Sequence, residues 1–114
     1  MDECLFCKIA YKEISSEIIF EDDKIIAFKD VAPQAPTHIL LIPKMHYDSI
    51  MDVPDDQLDI ISHIHKIAKK LAKEIGIDKS GFRIVNNCGK EGGQSVQHLH
   101  YHLLGGRQLT WPPG

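Results

Sequence analysis

Hydrophobic and polar positions along the 114 residues follow two rhythms. Between Pro54 and Gly76, Leu58, Ile61, Ile64, Ala68, Leu71 and Ile75 fall three or four apart. That spacing draws one apolar stripe and predicts an amphipathic helix over "PDDQLDIISHIHKIAKKLAKEIG". Pro54 suits its first turn and Asp55 and Asp56 suit the positive end of its dipole. Lysines gather toward the other end, where Gly76 can stop it. Elsewhere the rhythm shortens. "SEIIFEDD" and "KIIAFKDV" read as two strands joined by the polar turn Glu21-Asp22-Asp23-Lys24. "HILLIP" is a dense apolar run ended by proline and reads as a buried strand, "GFRIVNN" as a fourth strand, and "SVQHLHYHLLGG" as a fifth, ended by Gly105 and Gly106. "LFCKIAYKEI" suits a short helix or turn and "KMHYDSIMDV" a connecting loop. "VAPQAPT" is irregular because Pro33 and Pro36 remove donors and restrict their neighbours. The expectation is a single α+β domain over residues 1–114, an antiparallel five-stranded sheet with one long helix and a short N-terminal one.

Side chains alternate across a strand, so the last strand has two unlike faces. Gln97, Leu99, Tyr101 and Leu103 form a mostly apolar face that should pack on the long helix. His98, His100 and His102 share the opposite face, free for chemistry. His63 and His65 are two apart on the helix, point in different directions, and are expected to be plain surface positions.

Composition narrows the class. Hydrophobic residues at 43% and charged residues at 25% suit a soluble globular chain. A net charge of −3 argues against a general attraction to nucleic acid or an anionic membrane. No apolar run approaches the roughly 20 residues that span a bilayer. The opening "MDECLFCKIA" is acidic and lacks the apolar stretch of a signal peptide, so a cytoplasmic location is expected. Three cysteines in a reducing compartment make a structural disulfide an unfavoured reading, and a metal-binding or reactive role for Cys4 and Cys7 gains weight.

Three readings of the histidine face remain open at this level. It is a cluster without function, a three-histidine zinc site, or the seat of a nucleophile. His98 and His102 lie about 13 Å apart along a strand at about 3.3 Å per residue, so one metal takes two of the three rings but not comfortably all. A nucleophilic imidazole must be neutral, with one nitrogen free and the other held by an acceptor. The upstream "NNCGKEGGQS" supports that reading. Its glycines let backbone N–H groups approach an anion, and Gln94 and Ser95 carry donors. Cys4-Leu5-Phe6-Cys7 lacks a preceding strand, so a zinc half-site fits it better than a thioredoxin-like motif. The competing view has both cysteines as small buried hydrophobes.

His98-Leu99-His100-Tyr101-His102-Leu103-Leu104 resembles the alternating signature of the histidine triad proteins. "GGQSVQHLHYHLLGGRQLTWPPG" and "FKDVAPQAPTHILLIPKMH" are similar to the Hint branch, the purine nucleoside phosphoramidases, and the likeness runs over essentially the whole chain. The resemblance implies a homodimer with one continuous ten-stranded sheet, and cleavage of a phosphorus–nitrogen bond through a nucleotidyl-histidine. It makes His100 the nucleophile, with His102 assisting at the phosphate and His38 setting the imidazole network. Ser95 would bond near the leaving nitrogen, and Asn87 and Gln94 would line the phosphate site. Asp30 would accept from the ribose hydroxyls, Phe6, Ile9, Phe28 and Val31 would form the purine slot, and Trp111 would reach the partner's site. Relatives with the same cysteine pair imply a structural zinc on Cys4, Cys7, His46 and His98. Asn86 departs from the branch, standing where an apolar strand residue is expected. A zinc-stapled nucleotide-binding or protein-interaction module with little turnover is the alternative. Other activities of the wider family, such as dinucleoside polyphosphate hydrolysis, are disfavoured by "GGQS" and "WPPG". The resemblance does not rank adenine against guanine.

Overall fold

The computed structural model describes residues 4–114. Helix α1 (Leu5–Ala10) leads through a short connection into strands β1 (Ile18–Glu21), β2 (Ile25–Lys29) and β3 (Thr37–Pro43). Helix α2 (Asp59–Ile75) follows, then strands β4 (Phe82–Asn86) and β5 (Tyr101–Gly105). All neighbours pair antiparallel in the order β1-β2-β3-β5-β4. This is the α+β architecture read from the hydrophobic pattern. The two edges are β1 and β4.

The polar turn of the first hairpin closes on one carboxylate. Asp22 Oδ1 accepts from the backbone N–H groups of Lys24 and Ile25, both at 2.8 Å. His63 of α2 brings its Nε2 to 2.6 Å from the other oxygen, Asp22 Oδ2. It is therefore no plain surface position: it clasps the helix to the hairpin. His65 is exposed, with its ring 5.5 Å from that of Tyr101.

Each face of the sheet buries its own apolar layer. On one face α2 lays Ile64, Ala68 and Leu71 against Ile39 and Leu41 of β3 and Leu99, Tyr101 and Leu103. The ends of its apolar stripe do not reach this core, and Leu58 and Ile75 are each 42% exposed. Their place is taken by Ile67 and Ala72, both buried. The helix begins later than the pattern predicts, because Asp55–Gln57 forms a separate 3-10 turn. Gly76, at φ 92°, ends it in the left-handed region that favours glycine. On the other face α1 buries Phe6, Ile9 and Ala10 against Ile26, Phe28, Leu40 and Ile42.

The fifth strand differs from expectation in its start. The β5 ladder begins at Tyr101, so His102 alone of the three histidines lies within it. His98 and His100 precede it in irregular backbone, where Leu99 N–H donates to Tyr47 O at 2.7 Å instead of to a strand. Gln97 is exposed and takes no part in the helix-facing layer.

Candidate active site

Hydrogen bonds to fixed partners decide the tautomer of each histidine. His100 Nδ1 lies 2.7 Å from His98 O, and a carbonyl only accepts. His100 therefore carries its proton on Nδ1 and leaves the Nε2 lone pair free. The ring is buried, edge-on to Phe6 at 5.0 Å and to His102 at 5.1 Å.

The neighbouring pair is ordered by the same logic. His38 Nδ1 accepts from Gln34 N–H at 3.0 Å, so its proton sits on Nε2. That N–H donates to His102 Nδ1 at 2.9 Å, with Asp30 Oδ2 at 3.4 Å. His102 Nδ1 is then the acceptor and its Nε2 carries the proton. Burial, then the charges of His100 and His38, pushes His102 down to about 4. Burial also lowers His38, against the pull of Asp30. Both rings are neutral near pH 7. Although Asp30, His38 and His102 are close enough to be considered as metal donors, His38 presents a proton there rather than a lone pair.

Cys4, Cys7, His46 and His98 form the opposite case. His98 Nε2–H donates to Pro43 O at 2.9 Å, and His46 Nε2–H donates to Asp48 Oδ1 at 2.6 Å. In their neutral forms the two rings aim bare Nδ1 lone pairs at each other across 3.1 Å. Two acceptors at that distance repel unless a cation lies between them. The sulfurs complete the cage, with Cys4 Sγ 3.3 Å from His98 Nδ1 and Cys7 Sγ 3.3 Å from His46 Nδ1 and 3.5 Å from His98 Nδ1. A tetrahedral ion with bonds of about 2.0–2.1 Å to nitrogen and about 2.3 Å to sulfur needs nitrogen–nitrogen and nitrogen–sulfur edges of about 3.4–3.6 Å, within a few tenths of those observed. Burial, then the neighbouring Cys4, raises Cys7 to about 11, so its free thiolate is disfavoured until a cation compensates it. The residues fit a four-coordinate metal ion.

A cavity of about 340 Å³ opens beside His100. Phe6, Ile9, Phe28 and Leu40 line it, with Asp30, Ser95, His100 and His102 among its polar members, and Ser15, Ser16 and Lys29 at its far end. Val31 also borders it, at the rim, with 97% of its surface exposed. A second cavity of about 550 Å³ shares His102 and adds His38 and Asn87. A cleft of about 500 Å³ between α2 and the first hairpin exceeds the slot of about 340 Å³ yet holds none of the triad.

Other anticipated residues are held by specific partners. Gln94 turns its amide onto Asp48 O at 2.6 Å and Val96 O at 3.0 Å, and accepts from Gly89 N–H. Asn87 donates to Gly92 O at 2.7 Å. Both amides brace the glycine-rich loop. Asn86, the departure from the expected apolar pattern, donates to His100 O at 3.0 Å and steadies the backbone at His100. Trp111 is 80% exposed in a tail that Arg83 holds through Thr110 O at 2.8 Å. Sequence reasoning missed Gln34, Pro43 and Asp48. The first two act through backbone atoms and carry no side-chain signal. Asp48, two residues beyond His46, was legible as a possible ring partner.

A family model described as HIT domain matches residues 11–109. Adenylylsulfatase HINT1 of Arabidopsis thaliana is 49% identical over 112 residues, covering 96% of this chain and 76% of that protein. A 14 kDa zinc-binding protein of Brassica juncea is 48% identical over 114 residues, covering 98% of this chain and 100% of the other. Among solved structures, a HIT family hydrolase from Legionella pneumophila Philadelphia 1 matches with a TM-score of 0.96 at 54% identity, covering 98% of this chain and 100% of that one. A histidine triad protein from Clostridium difficile gives 0.94 at 57% identity, covering 96% and 95%. Matched along nearly its whole length, the chain belongs to the HIT domain family, in its Hint-like branch.

Proposed function

We propose that this protein is a nucleotide-binding hydrolase that cleaves the phosphorus–nitrogen bond of purine nucleoside phosphoramidates. One observation carries the reading: a buried, tautomer-locked His100 whose free Nε2 belongs to the ring bordering an apolar slot. A flat apolar slot suits a base, and Asp30 at its edge suits two vicinal hydroxyls. The names of relatives, an adenylylsulfatase and a HIT family hydrolase, support hydrolysis at a nucleotide phosphorus.

The chemistry follows from the proton positions. His100 Nε2 attacks phosphorus, and the Nε2–P bond forms as the P–N bond breaks. The positive charge that develops on His100 is stabilised by its Nδ1–H bond to His98 O. His102 offers its Nε2–H to a phosphoryl oxygen as a neutral donor, held in that tautomer by His38. The departing amine takes a proton relayed from solvent through Ser95. Water then attacks phosphorus, the Nε2–P bond breaks, and the water's proton returns to solvent by the same hydroxyl. The nucleoside monophosphate leaves, and His100 is restored.

Cys4, Cys7, His46 and His98 would hold zinc, which in a closed four-ligand site supplies structure rather than catalysis. The names of relatives called zinc-binding proteins support that choice of metal. The exposed edge of β4 is where a second copy would extend the sheet into a homodimer. No helix among the described residues is long and apolar enough to cross a membrane, and a cytoplasmic site of action accords with the free cysteines.

A single-turnover quench with adenosine phosphoramidate tests the mechanism. Mass spectrometry should find one nucleotidyl group on wild-type protein and none on His100→Ala, which should still bind nucleotide. Turnover by His100→Ala at the wild-type rate would refute the nucleophile.

A further inference from the structure

The slot crosses the sheet rather than following a strand. His102 stands on β5, Leu40 on β3 and Phe28 on β2, while Ser15 and Ser16 lead into β1, and all border the same cavity. From β5 to β1 the path covers three strand spacings, about 14 Å at about 4.8 Å each. Backbone pairing ties down the far end: Lys29 N–H donates to Glu17 O at 3.0 Å, and Ile18 pairs with Phe28. With phosphorus at His100 and ribose at Asp30, the base rests against Phe28 and Phe6, which pack on each other edge-to-face at 5.6 Å. Its outer edge then meets the Ile14–Ser16 segment.

That end of the slot is apolar except for the two serines and Lys29, whose ammonium is paired with Glu17 at 3.0 Å. Neither hydroxyl is hydrogen-bonded within the described residues, and neither is sealed from solvent. Ser16 is half-buried and Ser15 exposed, so Ser16 loses more water when a base arrives. We propose that Ser16, with Ser15 beside it, reads the substituent at position 6 of a bound purine and so sets base specificity. The inference rests on the nucleotide-binding reading and deepens it.

A hydroxyl both donates and accepts. It therefore matches a 6-oxo purine as donor and a 6-amino purine as acceptor. A purine with only hydrogen at that position offers it nothing, and the hydroxyl keeps its water. Adenine and guanine-type bases are thus both accepted, while the unsubstituted purine is disfavoured. A net neutral hydrogen bond supports a preference of about two- to ten-fold in affinity.

Calorimetric titration with AMP, IMP and purine riboside 5′-monophosphate tests this without requiring turnover. Wild-type protein should bind the first two a few-fold more tightly than the third. Ser16→Ala, and more fully the double change Ser15→Ala with Ser16→Ala, should bring all three to the affinity of the unsubstituted purine. Binding of that third nucleotide should not change, which excludes a general loss of structure. Equal wild-type affinity for all three nucleotides overturns the proposal, as does a Ser16→Ala loss shared equally among them. Binding of none of the three would instead overturn the nucleotide reading beneath it.

Discussion

Helix α1 is too short to hold its own place, and that makes metal loading a measurable test of the four-donor cage. Six residues are far below the length at which a helix is stable in water. Fixing their backbones costs about 6–12 kcal/mol at about 1–2 kcal/mol each. Burying Phe6 and Ile9 contributes about 3–6 kcal/mol. The shortfall of a few kcal/mol is close to what a bound ion supplies: about 4 kcal/mol when present at a thousand times its dissociation constant. Stripping zinc from loaded protein should then lower the melting temperature by about 15 °C, at roughly 4 °C per kcal/mol for a chain of this size. Scanning calorimetry on loaded and chelated samples, with metal content checked on both, measures it. Hydrogen exchange should localise the loss to α1 and the His98 segment, because the cage joins those two. Cys4→Ser should behave as the chelated protein and gain little from added zinc. Equal melting temperatures in loaded and stripped samples would show that apolar packing alone seats α1, and the account of the cage would be wrong.

Two further outcomes follow from the geometry. A Cβ added at Gly92 would stand 2.3 Å from Cys88 O and 2.9 Å from Cys88 N, backbone atoms that have no cheap retreat. Gly92→Ala should displace the loop that Asn87 and Gln94 brace and lower kcat/KM on the order of a hundred-fold, while thermal unfolding moves only slightly because the loop is exposed; steady-state kinetics at wild-type levels would contradict this. The second outcome concerns acid. His102 has a folded pKa near 4, below its unfolded value of about 6.5, so the unfolded chain binds more protons between those limits. Stability from this group is present above about pH 6.5 and is lost as pH falls toward 4. Urea unfolding of zinc-saturated protein should show a shallower pH dependence in His102→Asn, by at most about 1.4 kcal/mol per pH unit. Identical slopes in the two proteins would refute the assignment.

What could be read from the chain alone divides along a physical line. The stripe from Ile61 to Leu71 was legible because burial on one face imposes a period, and the run in "HILLIP" because burial on both faces makes it continuously apolar, Ile39 and Leu41 joining the core beneath α2 and Leu40 and Ile42 the one beneath α1. The alternating histidines were legible for the same reason, as Leu99, Tyr101 and Leu103 hold the opposite face inward. What alternation could not tell was that His98 and His100 leave the ladder. Two-residue spacing survives in any extended backbone, while hydrogen-bond pairing depends on a partner strand that β4 does not extend far enough to provide. Tautomers were hidden more deeply. His98, His100 and His102 are the same residue type two positions apart, yet one presents a lone pair to a metal cage, one a lone pair to the slot, and one a proton. That difference rests on Pro43 O, His98 O and the His38 ring, two of them backbone carbonyls that every residue possesses. The chain therefore announces which side chains do chemistry more readily than which proton each one holds. The second is settled only when folding brings distant acceptors within hydrogen-bond reach.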